Sequence, residues 1–391
     1  MLPSTIDVAI VGAGPTGLAA ACTLRRAGIE PLVLDRVEEQ ANTSRAAVIH
    51  ARTLEVLEEL EVTPRLLAEG CVVPVFTIRE RTRILARVDF AGLPTAYPFT
   101  LMLPQSRTEA ILLRRLEELG GRVERPYRAT DVTVQPHGAQ ITVAGPGGGV
   151  ETVNARYVVG CDGMNSTVRE AGGIAFAGGR YDQSFVLADV RMEWPLPADE
   201  VQLFFAAAGL VVVAPLPGGL HRVVATLDDA PERIEVADVQ RLVDTRGPKR
   251  GRVDSIVWAS RFSVHHRVAD VYRAGPLLLA GDAAHVHSPA GGQGMNLGIQ
   301  DGVDLGHALS DVLLNGAPDA SLDAYQDRRR PIAQRTVAVT DRVTRMATLT
   351  NPINRNARNA ALTVGGRLPA ARRRLAFQLA GLPERTDEVT A

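Results

Sequence analysis

The sequence predicts an α/β protein in which a Rossmann-like dinucleotide-binding domain is interleaved with a mostly antiparallel β-sheet domain and followed by C-terminal helices. Three observations carry this reading. A strand, a glycine turn, a helix and a second strand succeed one another between Ile6 and Asp35. Two later apolar strand patterns, Tyr157–Gly160 and Leu277–Ala280, each lead into an aspartate at the carboxyl end. Between them, from about Phe185 to Phe262, short β-type runs are separated by proline and glycine turns, unlike the flanking sequence.

The first unit opens with the run Ile6–Val11 and the turn Gly12-Ala13-Gly14-Pro15-Thr16-Gly17. Missing Cβ atoms serve three purposes here: Gly12 for the tight turn, Gly14 for backbone approach to a pyrophosphate, Gly17 for helix–strand packing. Pro15 suits a first helical turn, and the helix Leu18–Ala27 directs its positive end at the phosphates. A second strand, Pro31–Leu34, ends in Asp35, where a carboxylate accepts the ribose hydroxyls. Arg36 beside it is counted with the same site, a solvated charge being its other reading. FAD, NAD and NADP all present the ADP half that such a turn recognises.

A helical pattern follows from Arg52 to Leu67, and another from Glu109 to Leu119, stopped by Gly120-Gly121. Asp131–Val158 reads as strands joined by turns, and helices fill the chain from Leu297 to about Leu382. The expected division is therefore discontinuous. Residues 1–70, 101–180 and 266–335 form the dinucleotide domain, 71–100 and 181–265 the β-sheet substrate domain, and 336–391 a helical tail.

Composition narrows the function classes. A length of 391 residues allows two to three domains, and 43 Lys+Arg against 44 Asp+Glu leave a formal charge of -1. That balance argues against a nucleic-acid partner. Cys22, Cys71 and Cys161 are too far apart for a disulfide framework or a zinc site, which favours a reducing compartment. No apolar run approaches membrane-helix length, and the N-terminus enters a strand without a signal-peptide pattern. A cytoplasmic protein, free of membrane, is expected.

Two further motifs decide between the dinucleotides. Asp162, before Gly163, sits where a strand end meets the cofactor crevice. Gly281-Asp282 repeats that arrangement, and Asp282 is suited to accept from the hydroxyls of a ribityl chain. The stretch Pro289-Ala290-Gly291-Gly292-Gln293-Gly294-Met295-Asn296 then opens a helix. Backbone donors and the dipole at its start would stabilise the negative charge of a reduced flavin.

These motifs, in this order, resemble the class A, single-component flavoprotein monooxygenases, the FAD-dependent aromatic hydroxylases of the para-hydroxybenzoate hydroxylase fold. Ser44–Glu55 and Gly281–Asn296 are most similar to the branch of aromatic polyketide hydroxylases, phenol-type hydroxylases and antibiotic-modifying monooxygenases. The resemblance covers roughly Ile6 to Arg335. It implies bound FAD, with Gly12, Gly14, Pro15 and Thr16 at the pyrophosphate and Asp35 at the adenosine ribose. It also implies that Arg45 lies over the pyrophosphate with a part in NADPH docking, that Gln105 approaches the ribityl region, and that Val132 meets the adenine through its backbone. Asp282 would bind the ribityl–pyrophosphate segment, while Gly294, Met295 and Asn296 meet the isoalloxazine. Pro289 and Gly292, with Arg45, would serve the reacting end, Pro289 lining the face where oxygen reacts. About forty residues follow Asn351, too few for the thioredoxin-like domain of larger phenol-hydroxylase relatives.

The activity so implied is FAD- and NAD(P)H-dependent hydroxylation of a small aromatic, phenolic or polycyclic substrate by O2 through a C4a-hydroperoxyflavin. NADPH and NADH stay undecided as transient co-substrates, because a single dinucleotide fingerprint is present. Phe90, Tyr97, Phe99, Phe204, Phe205 and Phe262 are the expected pocket residues, ordinary sheet core being the alternative for each. Baeyer–Villiger-type oxygen insertion and a non-catalytic flavin- or ligand-binding role are the competing functions. A halogenase is disfavoured by the single lysine, Lys249, and by the separation of Trp194 from Trp258. His265-His266 and His285-x-His287 lack companion ligands for a metal, so none is expected. A monomer or a homodimer fits equally well.

Overall fold

The computed structural model describes residues 1–38, 46–227 and 230–382. Its first sheet is the Rossmann-like one. Five strands run parallel in the order Leu277–Leu279, Val150–Gly160, Thr5–Val11, Leu32–Leu34 and Val123–Glu124. The strand patterns are short and apolar because both faces are covered by helices, which leaves no alternation to read. An antiparallel hairpin, Arg128–Gln135 and Gly138–Ala144, extends the sheet along the outer half of Val150–Gly160.

The helix Pro15–Arg26 begins at Pro15, where no backbone donor is needed, and stops at Gly28, whose φ of +89° ends the helical path. It packs against Gln105–Glu118 on one side and Gly294–Leu314 on the other. The second contact is close because Gly302 and Gly306 face it: an ideal Cβ on Gly302 would lie 2.3 Å from the Thr16 carbonyl oxygen. The sequence pattern Arg52–Leu67 is not one helix but two, Ala51–Glu58 and Thr63–Glu69. Pro64 enforces the break, since its ring cannot continue a helix from the preceding turn, and Glu61 bridges it at a φ of 59°.

The second sheet is antiparallel but for one parallel pair, Glu200–Ala206 with Val75–Glu80. Its order is His285–Val286, Arg252–Ala269, Phe176–Glu193, Leu220–Leu227, Gly209–Leu216, Glu200–Ala206, Val75–Glu80 and Arg83–Asp89. Two strands of 18 residues, Phe176–Glu193 and Arg252–Ala269, pair along their length. A helix absent from the sequence reading, Val236–Arg246, covers the outer face. Its apolar positions Val239, Leu242 and Val243 pack on the sheet, and a reciprocal Glu235–Asp238 capping box starts it. The helices Asp323–Ala347, Pro352–Gly365 and Pro369–Ala380 follow, and among the described residues no helix is long and apolar enough to cross a membrane.

Candidate functional site

Three turns at the carboxyl ends of the parallel strands converge. At the first, Gly12 has a φ of +104° and its ideal Cβ would lie 2.3 Å from the Cys161 carbonyl oxygen, so only glycine fits. A Cβ on Gly17 would meet the Gly12 carbonyl oxygen at 1.9 Å. Gly14 differs: nothing of the protein lies within 4 Å of its ideal Cβ. The open space stands at the N-terminus of the helix Pro15–Arg26, and Gly14, Pro15 and Thr16 line a cavity there. Asp35 accepts from Ala13 N at 2.8 Å and Val37 N at 3.0 Å, so its carboxylate also fixes the turn. Arg36 is exposed, and Arg45 lies outside the described residues.

Asp162 begins the second turn. Its Oδ2 accepts from Thr167 N at 2.7 Å, while Oδ1 is buried with no partner, and burial raises its pKa. Arg169 joins this turn to the third, donating to the Met164 carbonyl at 2.8 Å and the Ala283 carbonyl at 3.0 Å. Gly281 opens the third turn at a φ of +61°, with its ideal Cβ 2.5 Å from Thr16 Oγ1 of the first. Asp282 is exposed on the cavity. Behind it, Asp301 accepts from Gly281 N at 3.2 Å, His285 Nε2 at 2.6 Å and Arg329 Nε at 2.6 Å. Burial pushes the Asp301 carboxyl up, but Arg329 and His285 outweigh it and hold the group below its ordinary value.

The glycine loop Pro289–Gly294 lies opposite. An ideal Cβ on Gly292 would stand 2.7 Å from Val48 Cβ, so the loop rests on the segment following residue 45. His50 Nε2 donates to the Gly291 carbonyl at 2.8 Å, and burial lowers the His50 pKa to about 4, keeping the ring neutral. Asn296 completes the clamp, accepting from His50 N at 2.8 Å and donating to the carbonyls of Val48 and Gly292 at 2.8 Å each. The Asn296 side chain is thus engaged within the protein, while Pro289, Gly292, Gly294 and Met295 line the cavity. Gln105 lines it too, accepting from Ala46 N at 3.4 Å and donating to Glu109 at 2.8 Å. Val132 is buried in its strand and does not line it.

The cavity, about 520 Å³, continues from these turns to the inner face of the second sheet. That end is apolar, walled by Phe76, Phe185, Leu187, Leu203, Phe205 and Phe262, with Phe185 and Phe262 stacked at 5.8 Å. Phe204 stands on the opposite face, against Trp194, because neighbouring strand residues alternate. Phe90 is fully buried beside Phe76, and Tyr97 and Phe99 pack on each other, the Tyr97 hydroxyl donating to Glu58. Phe204, Phe90, Tyr97 and Phe99 do not line the cavity. Arg222, held by Asp189 through two bonds of 2.7 and 2.8 Å, brings a buried guanidinium to the apolar wall.

The donor set suits a flavin dinucleotide. Open backbone at Gly14 and a helix N-terminus match a pyrophosphate, carboxylates at Asp35 and Asp282 match hydroxyls, and an apolar chamber adjoins the glycine loop. Among the described residues no group of three or more His, Cys, Asp or Glu side chains is arranged for a metal ion. Sequence reasoning missed His50, Arg169, Asp301, Arg329 and Phe185, whose partners are remote in the chain and leave no local spacing to read.

Comparisons with known proteins agree with this geometry. The FAD binding domain family matches residues 5–340. The 12-dehydrotetracycline 5-monooxygenase/anhydrotetracycline 6-monooxygenase of Streptomyces rimosus is 38% identical over 349 residues, covering 84% of this chain and 67% of the relative. Among solved structures, the OxyS anhydrotetracycline hydroxylase of Streptomyces rimosus superposes with a TM-score of 0.82 at 34% identity, over 97% of this chain and 77% of that one. The p-nitrophenol 4-monooxygenase PnpA of Pseudomonas putida DLL-E4 gives 0.87 at 26% identity, over 98% of this chain and 100% of that one.

Proposed function

The chain belongs to the FAD-binding family of class A flavin-dependent aromatic monooxygenases, and we propose that its substrate is a phenolic ring or a polycyclic, polyketide-like one. The observation that supports this reading is the cavity's division. One end presents glycine turns, helix N-termini and the Asp282 carboxylate; the other is the apolar face bearing Phe185, Phe205 and Phe262.

When bound, FAD would supply the redox chemistry that lets NAD(P)H and O2 deliver one oxygen atom to the ring. The chain's own part is to bind, orient and keep water out. The turn at Gly12–Gly17 would hold the pyrophosphate, Asp35 and Asp282 the hydroxyls of ribose and ribityl chain, and Gly294 and Met295 the ring edge. Arg36, Arg45, Gln105, Val132, Asp162 and Gly281 belong to this proposed cofactor set, with Pro289 and Gly292 at the reacting end. The apolar sheet face would place the aromatic ring beside that end. Water is disfavoured at such a wall, which protects the oxygen-transferring step from loss as peroxide. We propose a cytoplasmic location, a reading supported by the free thiols of Cys22, Cys71 and Cys161, and a monomer or homodimer.

The test is aromatic-stimulated NAD(P)H oxidation across a panel of phenols and polycyclic polyketides, with product and released H2O2 measured together. Hydroxylated product is expected. No stimulation by any member would defeat the hydroxylase reading, and a ring-expanded ester or lactone would redirect it to Baeyer–Villiger insertion. Asp282→Ala should separately lose FAD occupancy; wild-type occupancy would remove the role given to that carboxylate.

A further inference from the structure

The helix Pro369–Ala380 lies beyond the family match, yet its inner face packs behind residues that line the cavity. Ala376 and Ala380 are buried in an apolar cluster with Ala47, Val48, Phe76 and Met102, all four of which line the cavity. The helix's last turn reaches the glycine loop itself. Gln293 Nε2 donates to the Leu379 carbonyl oxygen at 3.0 Å, across 86 positions of sequence. An ideal Cβ on Gly291 would stand 3.4 Å from Leu379 Cδ2, so the leucine also packs on the loop.

Both partners are suited to this contact. Leu379 contributes one of the last carbonyls of its helix, which has no acceptor role within the helix. Gln293 precedes the helix Gly294–Leu314 as its cap residue, but its side chain makes no cap bond there. The amide is directed to the distant helix instead. The loop so gripped is the one whose far side lines the cavity at Gly291, Gly292 and Gly294.

We propose that Gln293 is a positioning residue: through Leu379 it fastens the helix Pro369–Ala380 to the glycine loop, so that helix docking and FAD binding stabilise each other. By linkage, the factor by which docking tightens FAD equals the factor by which FAD tightens docking. A docked helix also backs the apolar wall, holding Val48, Phe76 and Met102 in place near the reacting end; this part alone rests on the hydroxylase reading above.

The experiment uses the full chain, as apoprotein and reconstituted with FAD, in wild type, Gln293→Ala, Leu379→Ala, the double variant and Gln378→Ala. Gln378 is exposed on the same helix and serves as the control. Loss of one hydrogen bond should weaken FAD by about 2- to 10-fold in Gln293→Ala. Leu379→Ala keeps the carbonyl that accepts from Gln293 and removes only the packing on Gly291; because both contacts hold the same helix, the double variant should weaken FAD by less than the product of the singles, and Gln378→Ala should leave it unchanged. FAD should slow tryptic cleavage after the exposed Arg367, in the turn that precedes the helix, in wild type, and less so in Gln293→Ala. Unchanged FAD affinity in Gln293→Ala and Leu379→Ala, with cleavage indifferent to FAD, overturns the proposal. A lower melting temperature of the apoprotein with unchanged FAD affinity also overturns it, since the contact is then merely structural. With an aromatic that stimulates turnover, Gln293→Ala should release more H2O2 per NAD(P)H. If no aromatic does so in wild type, the hydroxylase reading fails while the affinity and cleavage measurements still decide this one.

Discussion

His285 Nε2 and Asp301 Oδ2 stand 2.6 Å apart, both fully buried, directly behind the Gly281–Asp282 turn. Arg329 closes the network from the other carboxylate oxygen at 2.6 Å. A buried ion pair adds little net stability, but removing one partner strands the other charge. Asp301→Ala should therefore destabilise the protein by about 3–5 kcal/mol. Urea unfolding at pH 7 measures it; a loss under about 1 kcal/mol, the range of an exposed pair, would show that Arg329 finds water or another partner.

Acid should unfold this protein earlier than its carboxylates alone require. Burial lowers His50 and His287 from 6.5 to about 4, so both rings are neutral in the folded state. The stability they contribute is complete above pH 6.5 and is lost as pH falls to about 4, because only the unfolded chain takes the proton in that window. The slope is about 1.4 kcal/mol per pH unit for each ring. His50→Gln retains a donor for the Gly291 carbonyl and should flatten the profile by one ring's share. Identical wild-type and His50→Gln slopes between pH 6 and 4.5 would contradict the burial argument.

The turns were legible in the sequence because they are local. Gly12 to Gly17 and Asp35, Asp162-Gly163 and Gly281-Asp282 are each fixed within one strand–turn unit, so spacing carries the information. What clamps them was not. His50 meets Gly291 across 241 positions and Arg169 meets Ala283 across 114, and no periodicity encodes such pairs. The sheet wall was legible only at Phe205 and Phe262, for another reason. Phe204 and Phe205 differ only in strand parity, and parity assigns a face only once the fold shows which side is covered. The helix Val236–Arg246 did carry a signal, the Glu235–Asp238 capping box, which its setting among strands obscured.

Gly12 and Gly14 separate what folding needs from what the cofactor needs. Gly12→Ala forces a Cβ to 2.3 Å from backbone at a φ of +104°, so the apoprotein itself should be lost or strongly destabilised. Gly14→Ala meets no protein atom within 4 Å, so apoprotein melting should match wild type. Its FAD affinity should fall by roughly tenfold or more, about 1.4 kcal/mol. Wild-type FAD affinity in Gly14→Ala would mean that the pyrophosphate does not approach this backbone.

Phe262 and Phe204 should divide substrate effects from stability in the same way. Phe262 is only partly buried, stacked on Phe185 at 5.8 Å with its ring on the cavity. Phe262→Ala should raise the KM for an accepted aromatic and increase peroxide release, with FAD occupancy unchanged. Phe204 is fully buried against Trp194 on the far side of the strand, and Phe204→Ala should cost about 3–5 kcal/mol through the cavity it leaves. Where the protein remains folded, Phe204→Ala should keep the wild-type KM. A reversed pattern, with KM sensitive to Phe204 and indifferent to Phe262, would move the aromatic site off the sheet face that Phe205, Phe185 and Phe262 share.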